Sequence, residues 1–266
     1  MQLFDLHTHS LCSPDSNSPL QSMVQAALDA GLAGLCTTDH CDLIDGDGAP
    51  TPHFDWQPVL NQYETARAQY QGRLSLLLGL ELGCAHLDVS CAEQIVSGAP
   101  LDFVLGSIHN YIPSQGGKDL AFLSYHSLSY CNTVLEDYLN SLLQLAPLAC
   151  YDSLAHVVYP LRHMRRDGQA VSLLDYEAQL REIFTLAIHS GHALELNTNR
   201  GQDVALWREL ISLFLDCGGE MVTLGSDAHV PKHVGMGISA ACTLLQDCGL
   251  RYYTVFRQRK PQFIKL

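Results

Sequence analysis

Side chains able to hold metal ions recur in this chain at the ends of apolar runs. The first pair is His7 and His9 in DLHTHS. Residues two apart on an extended chain point to the same side, so both imidazoles can grip one ion. For an H-x-H taken alone, two surface histidines are the plain alternative. Further along, His40 closes TTDH, Glu81 sits in LGLELG, His109 in GSIHN and His156 in LAHVV. Glu195 and Asn197 belong to ELNTNR, and Asp227 and His229 to GSDAH. Mixed imidazole and carboxylate donors without Cys suit Zn, Mn or Fe rather than a structural zinc site. More than four of them suit a cluster of ions with positions open to water, and a carboxylate such as Glu81 can bridge two ions.

The elements that must position these groups are legible in the same pattern. Apolar runs at 3–6, 34–38, 74–80, 103–107, 153–156, 193–196 and 221–225 are expected as buried strands. They alternate with segments at helical period, 20–30, 56–70, 134–145, 174–190, 204–217 and 233–248. About seven β/α repeats predict a parallel sheet. The metal-type side chains then gather at its C-terminal rim, where α/β folds place their active sites. Gly31 and Gly218-Gly219 follow two helices as expected C-caps. Residues 41–52 and 113–123 read as irregular loops that could cover the pocket. Gly46-Asp47-Gly48 and Gly116-Gly117 lack the spacing of a nucleotide fingerprint, and neither G-x-S-x-G nor a Walker A sequence occurs. No repeat or linker divides the chain, so a single domain over 1–266 is expected.

Composition narrows the class of partner. The 266 residues are 47% apolar and 16% charged, the balance of a compact globular chain. Fifteen Lys and Arg against 28 Asp and Glu give a formal charge of −13, which argues against nucleic acid as a partner. Bound cations can still supply local positive charge for a phosphate substrate. Ten Cys without a C-x-x-C pair read as mostly reduced core thiols, with Cys12 and Cys41 near the expected pocket. The N-terminal MQLFDLHTHS has neither a basic nor an apolar leader region, and no long apolar window follows. A cytoplasmic protein without a membrane span is expected, its oligomeric state open.

The motifs HTHS, TTDH, GLELG, GSIHN, LAHVV, ELNTNR and GSDAH, in this order over nearly the whole chain, resemble the polymerase-and-histidinol-phosphatase (PHP) superfamily, most closely its stand-alone histidinol-phosphatase members. The resemblance implies a distorted (β/α)7 barrel with a trinuclear metal centre at the C-terminal strand ends, hydrolysing a phosphate monoester. Carried over by position, it puts one metal on His7, His9, Glu81 and Asp227. Glu81 would bridge to a second metal on His109 and His156, and a third would sit on Asp15, His40 and His229. Many relatives have His where Asp15 stands, and a carboxylate there lowers that site's net charge by one.

Three divalent ions in one pocket would neutralise and orient a phosphate and make a bridging water acidic enough to attack phosphorus as hydroxide. Asp227 or His229 is a candidate to protonate the leaving alkoxide. Arg162 and Arg200 are candidates to bind phosphate oxygens, with solvated loop arginines as the plain alternative. Glu195 and Asn197 are candidates to orient the substrate, Glu195 through an ammonium group. Asp39 is either an acceptor for a ligand imidazole or a strand-end cap. His53, His86, His126, His163, His189, His192 and His233 have no comparable placement. The expected reaction is hydrolysis of L-histidinol phosphate in histidine biosynthesis. Its alternatives are a PHP phosphoesterase for another small phosphate ester or nucleotide, an amidohydrolase-type C–N hydrolase, which the absence of Lys before Lys118 disfavours, and a metal-binding protein without catalysis.

Overall fold

The computed structural model describes residues 2–51, 54–111 and 117–266. His53, Pro52 and Gly116, and with them part of both expected loops, lie outside the described residues. The chain runs β1 (Phe4–Thr8), α1 (Leu20–Asp29), β2 (Gly34–Thr37), β3 (His40–Asp42), α2 (Trp56–Tyr70), β4 (Ser75–Gly83), α3 (Val89–Ser97), β5 (Phe103–Ser107) and α4 (Leu128–Leu145). It continues through β6 (Ser153–Leu154), α5 (Tyr159–Arg166), α6 (Glu177–His189), β7 (Ala193–Asn197), α7 (Trp207–Asp216), β8 (Val222–Gly225), α8 (Ile238–Asp247), β9 (Tyr252–Arg257) and β10 (Lys260–Lys265).

The order β1-β2-β4-β5-β6-β7-β8, parallel throughout, is the distorted seven-stranded barrel that the β/α alternation predicts. Leu6, Leu35, Leu80, Val104, Leu105, Leu154, Leu194, Leu196 and Leu224 are all buried on these strands, each contributing about 1.5–3 kcal/mol by leaving water. The last strand meets the first without a regular ladder. His9 N donates to Ala228 O and Asp227 N to His7 O, both at 2.9 Å. Below them the buried Asp5 carboxylate accepts from Ser226 N and Gly235 N at 2.8 Å each. A side chain thus supplements a short stretch of backbone pairing at the seam, and the seam lies beside the histidines.

Several elements differ from the expectation. The short β3 leaves the barrel path: β2 pairs with the first half of β4, and β3 with its second half in the register His40↔Glu81 and Asp42↔Gly83. Helix α3, capped by Asp88, is only nine residues long. Helix α5 is eight residues ending in basic side chains, too short and polar to show an apolar period. The β9–β10 hairpin closes the end of the barrel opposite the histidines. There the Tyr253 hydroxyl accepts from Phe4 N, and Arg259 Nε donates to Asp152 at 3.0 Å. Strand β6 stops at Leu154, so His156 stands just past a strand end rather than within it. Gly31 and Gly218 have φ of 71° and 89°, the left-handed turn expected after a helix. All ten cysteines are free, and among the described residues no helix is long and apolar enough to cross a membrane.

Candidate metal centre

The barrel gathers the expected ligands at one rim, in three groups joined by one carboxylate. His7, the fourth residue of β1, and His9 just beyond it bring their Nε2 atoms to 3.0 Å of each other. Glu81 Oε2 lies 3.1 Å from His7 Nε2 and 3.5 Å from His9 Nε2, and Asp227 Oδ1 lies 3.5 Å from His9 Nε2. The other oxygen, Glu81 Oε1, is 3.0 Å from His109 Nε2 and 2.7 Å from His156 Nε2. At the open side Asp15 Oδ2 is 2.9 Å from His229 Nε2 and 3.7 Å from His40 Nε2. His9 stacks between His40 and His229 with ring centroids 4.3 and 4.0 Å away. Donors around an ion with bonds near 2.1 Å sit about 3.0–3.4 Å apart, whether six- or four-coordinate. The His7–His9, His7–Glu81, His9–Glu81 and His9–Asp227 separations, 3.0–3.5 Å, are close to that spacing, whereas Glu81–His156 at 2.7 Å is tighter and Asp15–His40 at 3.7 Å is wider.

Outer partners set the chemistry of the rings. His7 Nδ1 meets Glu195 Oε1 at 2.7 Å, His109 Nδ1 meets Asp42 Oδ1 at 2.7 Å, and His229 Nδ1 meets the Asp227 carbonyl at 3.0 Å. His9 Nδ1 is 3.0 Å from Ser13 Oγ, whose hydroxyl donates to Asp39 at 2.7 Å and must therefore accept from the ring. These contacts engage Nδ1 of all four rings and turn Nε2 inward, the atom a cation would take as its ligand. Burial alone would lower His7 and His109, but the carboxylates around them hold both well above the usual imidazole range. Burial pushes His9 down, and His40 and His229 push it further, so it is neutral. Burial alone would raise Glu81, yet His7, His40 and His109 around it hold its carboxyl well below the usual range. Among the described residues, His229 Nε2, although 2.9 Å from Asp15, is buried without an aligned hydrogen bond, as are His40 Nδ1 and His156 Nδ1. Imidazole nitrogens converging on ionised carboxylates, with buried nitrogens left unbonded, fit divalent cations, which would take the place of the ring protons.

The family profile described as "PHP domain" matches residues 5–199. The chain belongs to the PHP domain family. Among curated proteins it is similar to a protein named "Histidinol-phosphatase" from Lactococcus lactis, at 27% identity over 98% of this chain and 96% of the relative. It is also similar to one named "Probable histidinol-phosphatase" from Deinococcus radiodurans, at 29% over 98% of each. Among solved structures, histidinol phosphate phosphatase from L. lactis, complexed with Zn, L-histidinol and phosphate, superposes with a TM-score of 0.82. That match has 23% identity and covers 98% of this chain and 99% of the other. The PHP assignment leaves the amidohydrolase-type reading without support.

Around this PHP centre the expected polar residues fall into two sets. Arg200, in the left-handed region at φ 57°, follows β7, and its backbone N donates to Ser226 O. Its Nε is buried without a hydrogen bond, and the guanidinium makes no ion pair among the described residues. Arg162 is already committed to protein acceptors: Nε donates to Asp203 at 2.9 Å, Nη1 to Asp227 Oδ2 at 2.9 Å and Nη2 to Asn197 Oδ1 at 2.6 Å. Two of its five N–H groups are left for a phosphate.

Glu195 and Asn197, expected at the substrate, sit beneath the ligands instead. Both are buried; Glu195 holds His7 Nδ1 and His156 N, and Asn197 holds Arg162 and Asn199 N. Their polar atoms are spent on the scaffold. Asp39 reaches His9 only through Ser13. Asp227, a candidate proton donor, is held well below the carboxylate range: burial opposes this, but His7, His9 and Arg162 outweigh it. It is a carboxylate, not an acid. His229 commits its Nδ1–H to a backbone carbonyl. Sequence reasoning missed Ser13, Asp42 and Asp203 as partners of these groups. Of the three, only Asp42 carried a signal, standing two residues after His40 as His9 stands after His7.

Proposed function

We propose that this PHP protein is a metal-dependent histidinol-phosphatase, hydrolysing L-histidinol phosphate to L-histidinol and phosphate in the cytoplasm, with residues 1–266 forming one catalytic unit. The observation that carries the reading is Glu81, which divides its two oxygens between the His7/His9 pair and the His109/His156 pair. The names of the relatives at 27% and 29% identity supply the substrate. One cation would be held by His7, His9, Glu81 and Asp227, a second by Glu81, His109 and His156, and a third by Asp15, His40 and His229. Such ions, Zn, Mn or Fe, supply Lewis-acid charge for the phosphoryl oxygens and make water acidic enough to attack at neutral pH.

The chain's own residues do the rest. Glu195, Asp42 and the Asp39–Ser13 pair keep the imidazoles in the ligand tautomer. Arg162 fixes Asp227 and has two N–H groups to spare. Arg200, whose guanidinium makes no ion pair among the described residues, binds a phosphate oxygen. Three ligand carboxylates against three divalent ions leave an excess of about three positive charges, enough to hold a phosphate dianion in a chain whose formal charge is −13.

The test is phosphate release by protein loaded with Mn, Zn or Fe, using L-histidinol phosphate beside a panel of other phosphomonoesters, with a chelated control. A large preference for histidinol phosphate that disappears with chelator is the expected result. Metal-dependent turnover of other esters alone would overturn the substrate, in line with the 24% identical "Probable phosphatase" from Vibrio vulnificus. No metal-dependent turnover at all would overturn the chemistry.

A further inference from the structure

Asp42 belongs to none of the three proposed ligand groups, yet it lies against imidazoles from two of them. Its Oδ1 is 2.7 Å from His109 Nδ1, and its Oδ2 is 3.5 Å from His40 Nδ1. His109 turns its other nitrogen, Nε2, towards Glu81 at 3.0 Å. Asp42 therefore stands behind the ring. We infer that Asp42 is a positioning residue: it fixes His109 in the tautomer that offers Nε2 to a cation.

The short strand β3 brings this about. Its register sets His40 beside Glu81 and Asp42 beside Gly83, and residues two apart on a strand share a face. A Cβ at position 83 would overlap the Asp42 carboxyl group, so only glycine leaves room for it there. The Asp42 backbone is held as well: Thr51 Oγ1 donates to its carbonyl, and Leu43 N donates to Gly83 O at 3.1 Å. Asp42 and Gly83 thus form one device, a carboxylate and the gap that admits it. Outer carboxylate partners of ligand imidazoles are generally worth 10- to 100-fold in metal affinity. The rival role for Asp42 is direct ligation, because His40, Asp42 and His109 lie within reach of a single ion.

The inference rests on His109 being a cation ligand. The test compares the full-length wild type with Asp42→Ala, Asp42→Asn and Gly83→Ala. Each is stripped of metal, then titrated with Zn2+ against a competing chelator, and the downfield imidazole N–H resonances of the Zn-loaded proteins are recorded by NMR. Asp42→Ala and Gly83→Ala are expected to bind as many ions as the wild type at saturation, one of them about 10- to 100-fold more weakly. One Nδ1–H resonance should be lost. Asp42→Asn, which keeps an acceptor oxygen and nearly the same shape, should lose less than Asp42→Ala and guards against misfolding as the cause. Affinities within twofold of wild type with the resonance retained would overturn the inference. So would outright loss of one ion at saturation, the mark of a direct ligand. A wild type that itself binds no second tight ion would instead overturn the ligand reading of His109.

Discussion

Replacing Arg162 by Met keeps most of the apolar stem and removes the guanidinium. The change strands Asp203 and Asp227, whose side chains are 4% and 11% exposed. Breaking a buried ion pair from one side costs about 3–5 kcal/mol. Asp203 retains Arg165 at 3.4 Å, but that arginine is 42% exposed, which puts the loss near the lower figure. At roughly 2–4 °C per kcal/mol for a chain of this size, the melting temperature of the chelated protein should fall by about 10 °C. Metal changes the result, because Asp227 Oδ1 faces the ligand cluster while only Oδ2 faces Arg162. A cation on the cluster compensates one of the two stranded charges and no longer has a guanidinium nearby to repel it. The loss should then be about 2 kcal/mol smaller, which by linkage is metal binding about 30-fold tighter in the variant. Asn197 Nδ2, 3.4 Å from Asp227 Oδ2, still orients the carboxylate, so the gain in charge outweighs the loss of alignment. The assay is thermal unfolding followed by circular dichroism, in chelator and at saturating Zn2+. An equal drop in both conditions, or a drop below about 3 °C in chelator, would refute the reasoning.

Three other perturbations probe separate parts of the design. Asp15→Ala should lower the number of bound ions by one and leave the stability of the chelated protein within about 0.5 kcal/mol, because the side chain is 55% exposed; metal analysis beside a melting curve checks both. Arg200→Ala should lower kcat/KM by about 10- to 100-fold, the worth of a charge-assisted hydrogen bond to phosphate. It should not move the melting temperature, since no protein ion pair is lost, and an unchanged kcat/KM removes Arg200 from the site. His192, 5% exposed and stacked on Tyr151, is pushed down by burial to about 4. The unfolded chain takes up that proton near pH 6.5 and the folded chain only near 4. Stability is therefore full above about 6.5 and is lost as pH falls through this window, at up to about 1.4 kcal/mol per unit. His192→Phe should flatten the slope by one proton in urea unfolding at pH 7 and 5; an unchanged slope would show that the ring titrates normally.

The candidate ligands on the strands were legible because a buried acid or imidazole breaks a rule of burial. A parallel strand covered on both faces is expected to be apolar along its length, so Glu81 inside SLLLGLELG has to be paid for by partners, and it is: five imidazole contacts surround a side chain 1% exposed. What the pattern could not supply is depth along a strand and pairing across the chain. Glu195 and Asn197 alternate correctly on β7 and do point into the barrel. One turn of reasoning short of the structure, both were expected to meet substrate, whereas His7 and Arg162 cover them from β1 and α5, 188 and 35 residues away in sequence. Helix α5 itself was hidden, because YPLRHMRR has only Leu161 and Met164 at helical spacing to announce it beside Pro160. Arg162 looked like a loop arginine for the same reason. The signal for Asp42 was present in TTDHCD, but a three-residue strand pairing with the far half of β4 leaves no periodicity to read. The rule that found Glu81 extends to Asp5, an acid between Phe4 and Leu6 in an otherwise apolar run. A buried carboxylate there has to find donors, and it finds them on Ser226 and Gly235 at the barrel seam, which is what brings Asp227 to the first strand's histidines.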